Sequence, residues 1–166
     1  EKNIIDQLVY LQLENFKKRV WDKASSIQPP QWLDWYKTIV LASIVEKEER
    51  STANRPTVAG ILLKRLQLGT LVGADISLCY FYKIPYSECK PSFIATKVTE
   101  TNNPYNTRAV KGLPPTPVSN PTANSIMATL QPNQTEYFFY LHDNNGTIHY
   151  AKTLDEHNQN KNTYLE

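Results

Sequence analysis

Apolar residues recur at helical spacing from the start of the chain. Ile4, Ile5, Leu8, Leu11, Val20 and Trp21 form a stripe with Phe16 between them, while Lys17, Lys18 and Arg19 lie off it. Asn3 to Ala24 is therefore predicted to be an amphipathic helix. Pro29-Pro30, within Ser25 to Gln31, stops it. The pattern then changes. From Asp34, a residue suited to an N-cap, to Arg50, the chain is apolar nearly all round, through Ile39, Val40, Leu41, Ala42, Ile44 and Val45. A helix of that kind is buried. A third helix starts near Arg55-Pro56 and carries Val58, Ile61, Leu62 and Leu66, with Gly69 as its stop.

Beyond Gly69 the periodicity weakens. Ile76 to Tyr82 is rich in β-forming residues. Ser92 to Glu100 fits a short helix and an extended piece equally. Thr101 to Pro121, with Pro at 104, 114, 115, 117 and 121, reads as an irregular loop. Thr122 can cap a short helix through Leu130, ended by Pro132. Tyr137 to Leu141 and Thr147 to Ala151 flank Asp143-Asn144-Asn145-Gly146, a strong hairpin signal. A last helix begins at Thr153-Leu154-Asp155-Glu156. Helices first and a small antiparallel sheet after them make the expected class α+β, in a single domain over residues 1–166.

Composition narrows the function. Lys and Arg number 18 against 16 Asp and Glu, a formal charge of +2, which gives no reason to expect nucleic acid. No apolar run reaches the roughly 20 residues that cross a bilayer. The chain opens at Glu1 and its one Met is Met127, so it is expected to be a piece of a longer protein. Cys79 and Cys89 fit a disulfide outside the cytoplasm and two buried free thiols equally. His142, His149 and His157 match no standard zinc spacing, so neither metal nor cofactor is expected. Ten tyrosines suit sugar faces as well as a core.

Two stretches carry candidate chemistry. Glu46, Glu48 and Glu49 crowd the end of the buried helix, the wrong end for acidic residues to meet its dipole. At about 100° per residue Glu48 lies over Leu41, Ile44 and Val45, and Glu46 nearer Ala42 and Ser43. A carboxyl on the more apolar flank loses solvation and its pKa rises. Such a group suits general acid catalysis at a glycosidic oxygen. The loop at 101–121 supplies the second stretch. Its Asn, Thr and Tyr side chains, on Pro-stiffened backbone, suit an uncharged polyhydroxylated ligand.

Read in order, these segments resemble the YceG-like (MltG) endolytic murein transglycosylases. The resemblance rests on Leu41-Ala42-Ser43-Ile44-Val45-Glu46-Lys47-Glu48, Leu63-Lys64-Arg65-Leu66 to Gly69, and Ala74-Asp75-Ile76-Ser77. It continues through Pro104-Tyr105-Asn106-Thr107, Gly112-Leu113-Pro114-Pro115 with Asn120-Pro121, Gly146 to His149, and Thr153-Leu154 to Glu156-His157-Asn158. It covers Trp35 to Leu165. The family implies an α+β catalytic domain that follows a LysM-like domain and a membrane anchor, both outside this chain, on the outer face of a bacterial membrane. It implies non-hydrolytic cleavage of the MurNAc-β-1,4-GlcNAc bond of peptidoglycan to a 1,6-anhydroMurNAc end, with Glu48 as the one catalytic carboxyl. Asp75, Ser77, Tyr105, Asn106 and Asn120 match positions expected to line the glycan cleft. Glycan strands, and the cell-wall synthesis machinery, are the expected partners. The sequence departs from the family pattern at Glu49, usually Thr or Ser, at Asp75-Ile76-Ser77 and at Asn120-Pro121-Thr122. Glu49 could either raise the Glu48 pKa or point to solvent. Two other functions fit the same residues: an inactive glycan-binding module, and a lysozyme-like muramidase. The second would need another carboxylate about 5–9.5 Å from Glu48, for which Asp75 is the candidate.

Overall fold

The computed structural model describes residues 2–24, 27 and 32–165. Helix α1 (Lys2–Phe16) runs through a π-helical turn at Lys17–Trp21 into α2 (Asp22–Ala24), so the first predicted helix is continuous. Its stop at Pro29-Pro30 lies outside the described residues. Its apolar stripe does not face a core: Ile4, Ile5, Leu8 and Leu11 are all more than half exposed. Only its end docks. Val20 and Ala24 pack with Ala42, Ile126 and Leu130, and Trp21 stacks on Trp35 at 5.3 Å.

Helix α3 (Trp35–Glu48) is the axis of the domain. The Asp34 carboxylate caps it, accepting from the Lys37 N–H at 2.7 Å. Thr38 and the run Val40 to Val45 are buried, as an apolar circumference requires. Against it lie α4 (Arg55–Gln67), with Pro56 in its first turn, and α7 (Ala123–Leu130). The chain passes so close at Gly60 that a Cβ there would sit 2.1 Å from the Asn133 carbonyl oxygen. Gly69 ends α4 at φ 64°, the left-handed C-cap expected of it.

The stretch rich in β-forming residues is a helix, α5 (Asp75–Phe81). A short apolar run does not distinguish a strand from a buried helix. Here Ile76, Ser77, Leu78 and Cys79 are all buried, which a one-faced strand does not permit, and among the described residues no strand lies beside it to pair. A disulfide joins Cys79 to Cys89, just after the 3₁₀ turn Tyr86–Glu88. Helix α6 (Pro91–Lys97) resolves the ambiguous segment in favour of a helix, with Pro91 in its first turn. Residues 101–121 are irregular, as their prolines dictate. The loop is fastened to the core by side chains. The Ser43 hydroxyl accepts from the Val118 N–H at 2.9 Å, and Thr107 exchanges hydrogen bonds with the Ala74 backbone.

The hairpin forms where expected, with β1 (Phe139–His142) antiparallel to β2 (Ile148–Ala151) and Tyr140 opposite Tyr150. Asp143 closes its turn by accepting from the Asn145 and Thr147 N–H groups, and Gly146 takes φ 82°. Helix α8 (Leu154–Tyr164), capped by the Thr153 hydroxyl, packs across both strands. Mostly helical with one small antiparallel sheet, the chain is α+β as expected.

Candidate active site

The end of α3 sends three carboxyl groups to three different places. Glu46 turns to the N-terminus of α7. One oxygen pairs with Arg55 at 2.9 Å. The other accepts from the Thr122 N–H, the Thr122 hydroxyl and the Ser125 hydroxyl at 2.7–2.9 Å. Burial works against the charge on Glu46, but these donors and the Arg55 charge outweigh it, so its pKa lies below the ordinary carboxylate value. It caps a helix to which it does not belong. Glu49 is buried, 3% exposed, and accepts from the Ser51 N–H and from His142 at 3.1 Å. It therefore does not point to solvent, one of the two roles the sequence left open for it.

Glu48 alone faces a cleft. The cavity is about 530 Å³ and its walls come from α3, α4, α5, the loop, β1 and α8. The Tyr140 hydroxyl donates to Glu48 Oε2 at 2.8 Å. Burial pushes the Glu48 carboxyl above the ordinary carboxylate range. The Tyr140 hydrogen bond opposes that rise, the Asp75 charge adds to it, and Arg108 and His142 oppose it more weakly. Burial, reinforced by Glu48, holds the Tyr140 phenol well above its usual value, so it remains a donor. Asp75 stands in the same cavity wall and is paired with Arg108. The arrangement is one protonatable carboxyl in a half-dry pocket, one fixed donor beneath it, and a second carboxylate already committed to a cation.

The other expected site residues lie elsewhere. None of Ser77, Tyr105, Asn106 and Asn120 lines this cavity. Ser77 is buried, bonded to the Ala74 carbonyl at 2.7 Å and to Thr107 at 3.1 Å. Asn106 is fully buried. Its amide donates to the Lys97, Val98 and Glu100 carbonyls, capping the end of α6, and its oxygen accepts from the Arg108 N–H two residues on. That last bond is an Asx-turn. The Tyr105 hydroxyl meets Thr116 at 2.8 Å, and its ring lies beside Tyr80 and Phe81. Asn120 is exposed. Ser77 and Asn106 thus hold the backbone from which Asp75 and Arg108 reach the cleft.

Sequence reasoning missed Tyr140, Arg108, Arg65, His157 and Lys161, all of which line the cavity. Tyr140 and His142 alternate along β1 and so share a face, the one signal in the residues that points to them. The histidines do not converge. His142 meets Glu49, His149 meets Asp143 and stacks on Tyr164, and His157 stacks on Phe139. Among the described residues no group of three His, Cys, Asp or Glu is placed to hold a metal ion.

Comparison with known proteins places this geometry in context. A family model described as the YceG-like family matches residues 1–163. The chain is 31% identical over 130 residues to the endolytic murein transglycosylase of Bacillus subtilis strain 168, covering 78% of this chain and 35% of that protein. It is 25% identical over 162 residues to the endolytic murein transglycosylase of Streptococcus pneumoniae serotype 2 (strain D39 / NCTC 7466), covering 96% of this chain and 29% of that protein. The chain thus spans about a third of the length of these relatives. The crystal structure of a YceG-like protein from Listeria monocytogenes, lmo1499, superposes with a TM-score of 0.76 at 28% identity, over 95% of this chain and 48% of that one. Matched by that family model over nearly its whole length, the chain belongs to the YceG-like family.

Proposed function

We propose that this chain is the catalytic domain of an endolytic lytic transglycosylase, which cuts the MurNAc-β-1,4-GlcNAc bond of peptidoglycan without water. The observation that carries the proposal is Glu48, a carboxyl with a raised pKa facing the cleft on the Tyr140 hydroxyl. The name borne by the relatives supports the same reaction class.

Protonated Glu48 gives its proton to the glycosidic oxygen as the bond to the MurNAc anomeric carbon breaks. The carboxylate so formed takes the proton of the MurNAc 6-hydroxyl, whose oxygen closes on that carbon. The products are a 1,6-anhydroMurNAc end and a free GlcNAc 4-hydroxyl, and Glu48 ends protonated as it began. Tyr140, bonded to Oε2, stabilises the carboxylate between the two transfers and leaves Oε1 to carry the proton. One carboxyl suffices because the nucleophile belongs to the substrate, and intramolecular attack has a large effective molarity. Asp75, held by Arg108, orients the glycan instead of activating water.

Glycan strands are the substrate, so the domain works outside the cytoplasmic membrane, near the cell-wall synthesis machinery. The Cys79–Cys89 disulfide suits that compartment. No described helix is long and apolar enough to cross a membrane. No cofactor takes part in the scheme.

One observation favours a second function. Asp75 lies in the same cavity and its charge bears on Glu48, as the second carboxylate of a muramidase would. Mass spectrometry of digested peptidoglycan decides. Anhydro ends support the transglycosylase. Reducing ends make it a hydrolase, with Asp75 released from Arg108 to activate water. Intact glycan that retains the protein leaves only a binding module.

A further inference from the structure

The cleft carries more positive charge than an uncharged glycan needs. Arg65 and His157 both sit on Phe139: the guanidinium lies 5.4 Å from the ring centre and the imidazole stacks at 5.3 Å. Lys161 follows His157 by one turn of α8, on the same face. All three line the cavity that holds Glu48. Among the described residues Arg65 donates to carbonyl oxygens, those of Val72 and Phe138. Lys161 is exposed and has no ion pair among the described residues. The cavity's carboxyl groups do not balance the Arg65 and Lys161 charges, because Asp75 is spent on Arg108 and Glu48 is biased toward its neutral form. Burial, then Lys161, Arg65 and Arg108, hold the His157 pKa down, as expected where cations gather.

We infer that the wall formed by Arg65, His157 and Lys161 binds a carboxylate carried on the lactyl branch of the MurNAc residue held beside Glu48. The inference rests on the function proposed above and adds to it a selectivity for glycans bearing that negative charge. The carboxylate has two sources. It belongs to the attached peptide in intact peptidoglycan, and to the lactyl group itself once an amidase has removed the peptide. Arg65, fixed by its carbonyl bonds, sets the field, and Lys161, free to move, closes on the anion.

The test is cosedimentation of the Glu48→Gln protein, alone and combined with Lys161→Glu, with insoluble peptidoglycan before and after amidase stripping. Chitin, which has no carboxylate, serves as the reference polysaccharide. Lys18→Glu makes the same charge change on the exposed side of the first helix. Lys161→Glu should weaken binding to peptidoglycan about threefold to tenfold and flatten its salt dependence, while Lys18→Glu should not. Binding to chitin should be the same in all the proteins. Weakening on the stripped preparation alone assigns the lactyl group's own carboxylate, weakening on the intact one alone assigns the peptide, and weakening on both shows that the wall takes a carboxylate in either place. If Lys161→Glu binds both preparations as its parent does, while Glu48-intact protein still yields anhydro ends, the inference falls and the proposed function stands. If the Glu48-intact protein neither binds nor cuts peptidoglycan, both fall.

Discussion

Glu46 and Glu48 are two residues apart on one helical turn, yet they occupy opposite kinds of site. Around Glu46, Arg55, Thr122 and Ser125 supply a cation and three further donors. Around Glu48, burial is met by a single hydroxyl, that of Tyr140. The first carboxylate is more acidic than usual and the second less so. The contrast teaches that burial alone does not make a carboxyl reactive. What matters is how many donors are built around the ionised form. A fully served carboxylate is a brace, and an underserved one at a cleft is an acid.

The contrast is broken most severely by Glu48→Gln. Activity on peptidoglycan should fall about 10²- to 10⁴-fold, the usual worth of general acid–base help. The melting temperature should hold or rise, because the change removes a carboxyl that burial disfavours. Activity at the parent rate would remove Glu48 from the mechanism.

Glu46→Gln should do the reverse. It leaves Arg55, only 7% exposed, without its anion, at a cost of about 3 kcal/mol, while turnover per folded molecule stays substantial. Acid titration of stability sharpens the contrast through its sign. The Glu46 pKa is lowered on folding, so its contribution is present above the ordinary value of 4.5 and is lost as pH falls through the folded value. The Glu48 pKa is raised, so stability is lost as pH rises from 4.5 through its folded value. Melts from pH 3 to 8 should therefore show Glu46→Gln deleting an acid-side slope and Glu48→Gln deleting one of opposite sign.

Asn106 belongs with Glu46. Asn106→Ala strips the donor from three half-buried carbonyls and should cost about 1–3 kcal/mol. At about 2–4 °C per kcal/mol that is a drop of several degrees, with activity of the remaining folded protein near normal. An unchanged melt with impaired glycan binding would move Asn106 into the cleft.

Tyr140 belongs with Glu48 and carries the smallest expected effect. Tyr140→Phe should lower turnover by what one hydrogen bond supplies, about 0.5–1.5 kcal/mol. It should also shift the alkaline limb of the pH–rate profile upward, since the lost donor favoured the carboxylate. A profile that keeps its shape would reduce Tyr140 to packing.

Much of this was legible in residues alone. The all-round apolar run of α3, Asp34 as its cap, Pro56 and Gly69 at the ends of α4, and the Asp143–Gly146 turn are local decisions, and local chemistry makes them. Glu48 could be favoured over Glu46 because a helix wheel is local too. The strand-like look of Ile76 to Tyr82 misled, because a short buried run satisfies either geometry until its neighbours are known. The exposed stripe of α1 shows the same limit, since an apolar face does not say what covers it.

Local chemistry was enough to place most of the elements in order and to put Glu48 on the apolar flank of α3. Only the tertiary structure decided which polar groups meet. Arg55 is nine residues from Glu46, Arg108 is 33 from Asp75, and Tyr140 is 92 from Glu48. Asn106 and Ser77, polar and loop-like in sequence, became internal fasteners because folding left buried carbonyls and hydroxyls beside them that had to be satisfied. Hydrophobic period and capping act within a turn or two of helix. Hydrogen-bond satisfaction and charge pairing act through space, and they became readable only when the loop at 101–121 and the hairpin had closed over the end of α3.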